Sequence, residues 1–227
     1  MTETYKMICA SITESSMAKA VGTANKAPSD LAEIRLDYLR ESETLKELEK
    51  IKKPVVSTCM PLWEGGRFAG TEAERIRVLT EAAGYSDYVS IELRTEKKLR
   101  DAFVKDASKK GAKVIVSCHD FEKTPDSKEI GKILKEEESA GADVAKIAFL
   151  ARDYADVLRT MEPLLDKRRK IPVIAISVGE YGRISRILGP LLGSYMTFAS
   201  PAKGRESAPG QLSVDELKKV LAIVGKR

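Results

Sequence analysis

Eight short apolar runs, each followed by a stretch of helical periodicity, constrain this chain more than any other feature in it. They are YKMICASI (5–12), LAEIRLDYL (31–39), PVVSTCM (54–60), YVSIELR (88–94), KVIVSCHD (113–120), DVAKIAFL (143–150), IPVIAISV (171–178) and YMTFAS (195–200). Their starts recur with a beat of roughly 25 to 35 residues. Most carry little polar alternation, as strands covered on both faces of a parallel sheet require. The intervening segments open on helix-start signals: Thr71–Glu74, Asp126–Glu129 and Ser213–Glu216 each place Glu three residues after a capping oxygen. Gly84, Gly111 and Gly141 fall where helices should stop. Eight such units predict one closed (β/α)8 TIM barrel, an α/β fold filling residues 1–227 without a linker or domain boundary. A doubly wound open sheet is the competing fold. It usually carries a glycine-rich phosphate turn after the first strand, and SITESSMAKA has no glycine.

Charge and cysteine usage narrow the class. A net charge of +5 is modest and compatible with an anionic small molecule. The densest basic run, DKRRK at 166–170, follows the helical pattern around Leu158 and Leu164 and reads as cations at a helix C-terminus. No basic stretch is interleaved with aromatics, so no nucleic-acid partner is expected. No run approaches the roughly 20 apolar residues of a membrane span. MTETYKMICA lacks the layout of a signal peptide, and a cytoplasmic protein is expected. Cys9, Cys59 and Cys118 are odd in number, have no CxxC spacing and sit in apolar runs. They predict neither a disulfide nor a metal site.

In a barrel of this kind the active site lies at the C-terminal ends of the strands. Lys146, inside the sixth run, is the strongest anomaly there, because an ammonium in a strand buried on both faces is costly unless paired or neutralised. Desolvation lowers a lysine pKa toward a usable amine, the species that forms a Schiff base with a carbonyl. The plainer reading is a lysine at a rim or paired with a core carboxylate. His119, the single histidine, ends the fifth run one strand earlier. It is placed to move a proton beside an imine, or else it is a satisfied structural histidine.

Other strand ends carry Glu33 and Arg35, which share parity and so one face, and Glu92 and Arg94. A structural ion pair accounts for the first two equally well. Glu64, in the turn-rich PLWEGGRF, can orient a histidine or be a solvated loop acid. After the seventh run, Gly179 and Gly182 supply a flexible turn before Arg186, which can clamp a carboxylate or sit near a phosphate. PAKGRESAPGQLS after the eighth run reads as a loop able to close over a site, with Ser207 and Gln211 as hydrogen-bonding groups, or as an ordinary connection.

Six of these segments together resemble the type I 3-dehydroquinate dehydratase family: EIRLDYL (33–39), EGG (64–66), VSCHDF (116–121), VAKIA (144–148), the S-x-G-x-x-G-x-x-S-R spacing from Ser177 to Arg186, and SAPGQ (207–211). They follow in order along nearly the whole chain. The resemblance implies a (β/α)8 homodimeric lyase of the shikimate pathway, serving aromatic amino-acid biosynthesis, with no metal and no cofactor. It would dehydrate 3-dehydroquinate to 3-dehydroshikimate. Lys146 would form the imine with the substrate ketone, His119 would be the general acid and base, and Glu64 would hold His119. Arg186 would bind the substrate carboxylate. Glu33, Arg35, Ser207, Gln211 and Ser11 would contact the rest of the substrate and close the lid.

Two departures stand out. The family pattern has an arginine four residues before Glu64, and here the residue is Met60; Arg67 is the nearest candidate to replace it. Ile176 and Val178 stand where methionines often pack against substrate, a change that keeps apolar character. Another Schiff-base barrel lyase, such as an aldolase, is the alternative enzyme, and a barrel that only binds a small acid is the alternative outside catalysis.

Overall fold

All eight runs become parallel strands: β1 (Met7–Ile12), β2 (Leu31–Arg35), β3 (Val55–Thr58), β4 (Tyr88–Glu92), β5 (Lys113–Asp120), β6 (Val144–Leu150), β7 (Val173–Val178) and β8 (Met196–Ala199). The structure, a computed structural model, describes residues 7–40 and 44–224; Tyr5 and Lys6 of the first predicted run lie outside them. The helices are α1 (Met17–Lys26), α2 (Glu72–Ala82), α3 (Lys97–Lys109), α4 (Ser127–Ser139), α5 (Tyr154–Met161), α6 (Ser185–Leu192) and α7 (Val214–Val224). Between β2 and β3 the crossover is a 3-10 helix, Leu45–Lys50. The second run ends earlier than its apolar pattern suggested, because Leu36–Tyr38 turn into a short 3-10 helix.

Local chemistry starts these helices as the pattern required. Thr71 and Glu74 form a reciprocal capping box, as do Ser213 and Glu216, while Asp126 accepts from the Glu129 N–H. Gly111 and Gly141 follow the ends of α3 and α4 with φ near +86° and +88°, where a side chain would be strained. A repeated device fixes the opposite end of the barrel. Asp30, Asp87 and Asp143, each just before an even-numbered strand, accept the backbone N–H of Ile8, Val55 and Val114 at 2.8 Å. Each carboxylate thus satisfies an amide at the start of the preceding strand that the ladder leaves unpaired.

Ladder pairing runs β7-β6-β5-β4-β3-β2-β1-β8, so the barrel is nearly closed and β7 and β8 meet at a seam. Three seam-facing N–H groups still find acceptors. Tyr195 donates to the Val173 C=O at 2.9 Å, Ala175 to Ser194 Oγ at 3.4 Å and Ser177 to Ser185 Oγ at 2.9 Å. Outward-facing residues such as Val89, Val116, Ile147 and Phe149 pack under the helices. Inside, every strand contributes to a second apolar cluster: Cys9, Leu31, Val56, Tyr88, Ile115, Val144, Ile174 and Met196. That cluster floors the barrel. The polar inward-facing residues lie above it, toward the C-terminal mouth.

Candidate active site

Alternation along each strand decides who enters the mouth. One inward position above the floor come Ser11, Glu33, Thr58, Lys146, Ile176 and Phe198, all bordering one cavity of about 340 Å³. Arg35, Met60, His119, Ala148 and Val178 stand one position higher on their strands or just past them, and border the same cavity. Register pairs His119 with Ala148, so Lys146 sits one inward position below His119 on the neighbouring strand, about 7 Å along it.

Lys146 is buried, and its Nζ lies 4.2 Å from the centroid of the Phe198 ring. Burial lowers its proton affinity; Glu33 opposes this, and Arg35 and Arg186 reinforce it. Glu33 is pushed up by burial, yet Lys146, Arg35, Ser11 and Thr58 together bring it below the usual carboxylate range. Ser11 Oγ donates to Glu33 at 2.7 Å and Thr58 Oγ1 at 2.9 Å. Glu33 is therefore a fixed anion facing the amine.

His119 meets Glu64 twice. Its backbone N–H donates to Glu64 Oε1 at 2.6 Å, and its Nδ1 lies 3.1 Å from the same oxygen. The Phe121 ring lies nearly parallel to the imidazole, with centroids 6.0 Å apart. Phe121 also explains Gly65: a Cβ there, besides needing φ +83°, would come within 2.7 Å of its ring. Burial holds His119 well below its ordinary pKa, and Lys146 and Arg35 deepen the effect. Burial pushes Glu64 up to about 7, although the His119 N–H, Arg94, Arg75 and Lys146 all favour its charged form.

The S-x-G-x-x-G-x-x-S-R segment places Arg186. Ser185 Oγ accepts the Ser177 N–H and lies within bonding distance of the Ser177 and Gly182 carbonyls, folding the turn back onto β7. Gly182 packs so closely that a Cβ would come 2.5 Å from the Ser177 carbonyl. Arg186 then reaches the cavity near the seam, where Nη1 donates to the Phe198 C=O at 3.4 Å and Nε is buried without a hydrogen-bond partner among the described residues. Burial lowers its pKa to about 10, with Glu33 opposing, so it remains a cation.

The loop after β8 covers this mouth. Ser207 donates through its N–H and hydroxyl to Gln211 Oε1, and Gln211 Nε2 reaches Ser11 Oγ at 3.4 Å. The Gly179 N–H donates to the Pro209 C=O at 3.2 Å, joining the loops after β7 and β8.

Of the residues singled out in the sequence, Lys146, His119, Arg186, Glu33, Arg35, Ser11, Ser207 and Gln211 line the cavity, and Glu64 lies behind His119. Arg35 is engaged: Nε and Nη2 pair with Asp37 at 2.8 and 2.6 Å. Met60 lines the cavity, but Arg67 does not. Its guanidinium lies 4.2 Å from the Tyr38 ring centroid, bordering a separate cavity of about 730 Å³. Arg94 donates to the His119 C=O, Glu92 pairs with Arg75, and neither borders the cavity. Thr58 and Phe198 were not singled out beforehand. Inward parity was the available signal, and it does not separate a site residue from a core residue.

A nearly closed eight-stranded barrel with these groups converging at its C-terminal mouth defines a TIM-barrel enzyme. The profile of the type I 3-dehydroquinase family matches residues 8–227, and the chain belongs to that family. It is 40% identical over 212 residues to the 3-dehydroquinate dehydratase of Methanosarcina barkeri, covering 88% of each chain. The Methanocaldococcus jannaschii enzyme of the same name is 39% identical over 218 residues, with 94% of this chain and 97% of that one covered. The crystal structure of type I 3-dehydroquinate dehydratase from Clostridium difficile, described as containing covalently modified comenic acid, superposes with a TM-score of 0.87 at 31% identity. It covers 96% of this chain and 92% of that one.

Proposed function

We propose that this chain dehydrates 3-dehydroquinate to 3-dehydroshikimate in the shikimate pathway, through an imine on Lys146 with His119 as general acid and base. Family membership supports the reaction. One observation carries the mechanism: an amine, an imidazole backed by a carboxyl, and a buried arginine share one cavity.

The steps follow from the chemistry of these groups. Neutral Lys146 attacks the substrate ketone, water leaves, and a protonated imine forms. The neighbouring C–H becomes acidic because its electron pair can delocalise into the imine as an enamine. His119 takes that proton at Nε2, while Nδ1–H faces Glu64 and leaves Nε2 free to act as base. Collapse of the enamine expels the hydroxyl, which leaves as water with the proton from His119. Hydrolysis of the product imine consumes one water and frees the amine, so the balance is one water lost per substrate. Arg186 is the carboxylate clamp, Glu33, Arg35 and Ser11 receive the hydroxyl face, and Ser207 and Gln211 close the loop over it. A cytoplasmic homodimer of one barrel per chain belongs to the same reading, and light scattering on the purified protein tests its dimer part.

Borohydride reduction in the presence of 3-dehydroquinate tests the mechanism. A substrate-derived adduct should map to Lys146, and an enone absorbance should appear without the reductant. The His119→Ala variant should lose at least about a hundredfold in kcat and still trap the imine. No adduct together with no enone would sink the reading.

A further inference from the structure

Arg75 and Glu92 are a buried charged pair outside the cavity with no task in the mechanism above. Arg75, on α2, is fully buried, and Glu92, at the end of β4, is nearly so. Arg75 Nη1 donates to Glu92 at 2.5 Å and to the Cys59 C=O at 3.0 Å, and Nη2 to Thr95 Oγ1 at 2.8 Å. Glu72 accepts from its Nε and Nη2. These anchors lie at the exits of β3 and β4. The first exit leads to Glu64, and the second neighbours the strand of His119. Desolvation can offset the attraction of a buried ion pair, so its presence is weak evidence for a purely stabilising role.

Glu64 supplies the other half. Its Oε1 accepts the His119 N–H and lies 3.1 Å from Nδ1, while Oε2 is buried with no hydrogen-bond partner among the described residues. Its charge is therefore balanced by the field around it: the His119 N–H from β5, Arg94 from the β4 exit, Arg75 from α2 and Lys146 from β6, opposed by Glu92 and by Glu137 from α4, with the Cys118 thiol of β5 also facing it. Burial pushes both Glu64 and Glu92 up to about 7, and Arg75 pulls both down.

We propose that Arg75 and Glu92 are positioning residues for proton transfer at His119. The pair holds the exits of β3 and β4, and it fixes how many protons Glu64 and Glu92 carry between them. It thereby decides whether Glu64 presents a carboxylate to Nδ1. This rests on the roles given above to His119 and Glu64.

His119 is the single histidine of the sequence, so with any affinity tag removed its ring resonances are assigned without ambiguity. They report the state of Glu64 in the substrate-free chain, independently of turnover. The experiment is a pH titration of those resonances, alongside the pH profile of kcat, in the wild type and in Glu92→Gln, Arg75→Met and Arg75→Lys. Removing the negative charge in E92Q should move the inflection and the acid limb of kcat down by about one pH unit. R75M should move both up by a similar amount, R75K should stay near the wild type, and KM should hold because neither residue borders the cavity. Unmoved inflections, or shifts of the same sign in E92Q and R75M, would overturn the proposal. If R75M does not fold, the isosteric E92Q decides alone. A wild type with no turnover but the expected ring shifts would sink the dehydratase reading and leave only the pair's control of Glu64 standing; unmoved resonances in an active enzyme would do the reverse.

Discussion

Glu137 is the residue whose environment least suits its charge. It lies on α4, fully buried, with neither carboxylate oxygen in a hydrogen bond of sound geometry among the described residues. Burial raises its pKa well above the ordinary value, a nearby Lys146 backbone N–H offsets this in part, and Glu64 adds to it. A carboxyl raised on folding contributes stability that is full below its unfolded pKa and is lost as pH rises through the folded one. Glu137→Met should therefore stabilise the protein at neutral pH by about 1–3 kcal/mol. It should also flatten the decline in stability above the ordinary carboxylate range, as urea melts at several pH values would read. Equal stability of the two proteins at pH 8 would refute this. At this scale the sequence was informative wherever a polar residue broke an apolar run, as Lys146 and His119 do. It was silent on Glu137, which sits among the charges of KEEES (135–139) and looks solvated. Arg67 shows the same limit. Its position suggested a stand-in for the arginine that Met60 lacks, but the Tyr38 ring takes its guanidinium elsewhere.

Among elements, the two loops after β7 and β8 are built against each other. Gly210 has φ near +80°, and a Cβ there would come 2.2 Å from the Gly179 carbonyl oxygen, a backbone atom that cannot swing away. Gly210→Ala should force the SAPGQ loop off the mouth and displace Ser207 and Gln211. A strain of about 1–3 kcal/mol on the closed loop should raise KM by about tenfold, with imine trapping at Lys146 still possible at saturating substrate. Steady-state kinetics check this, and an unchanged KM would show that closure does not use this contact. Gly179 and Gly182 were visible in the sequence as a flexible turn, and Gly210 as part of a loop able to close over a site. The partner of Gly210 was not, because its close approach is to a carbonyl of the other loop.

Across the whole molecule, the seam between β7 and β8 is where the barrel and the site depend on each other. Ser185 Oγ takes the place of a β8 carbonyl for the Ser177 N–H, and the next residue, Arg186, reaches the Phe198 carbonyl. A continuous ladder would leave those groups no room. Ser185→Ala strands a buried N–H and should cost about 1–3 kcal/mol. It should also speed hydrogen exchange at the Ser177 amide and raise KM by loosening Arg186. If exchange at Ser177 and KM both stay as in the wild type, the seam is held by other contacts.

The sequence by itself determined the eightfold beat of strand and helix, the starts of three helices, and which residues of each strand share a face. Those are local properties: period-two alternation and capping chemistry act over a few residues, so Glu33, Arg35, His119 and Lys146 could be oriented without knowing their neighbours. Only the tertiary structure decided who meets whom. It set Glu64 behind His119, let Arg186 in near the seam, gave Arg35 to Asp37, and joined Gln211 to Ser11 across 200 positions of chain. Such contacts are settled by closure of the barrel and by competition among side chains for the same partner, and neither leaves a mark in local sequence.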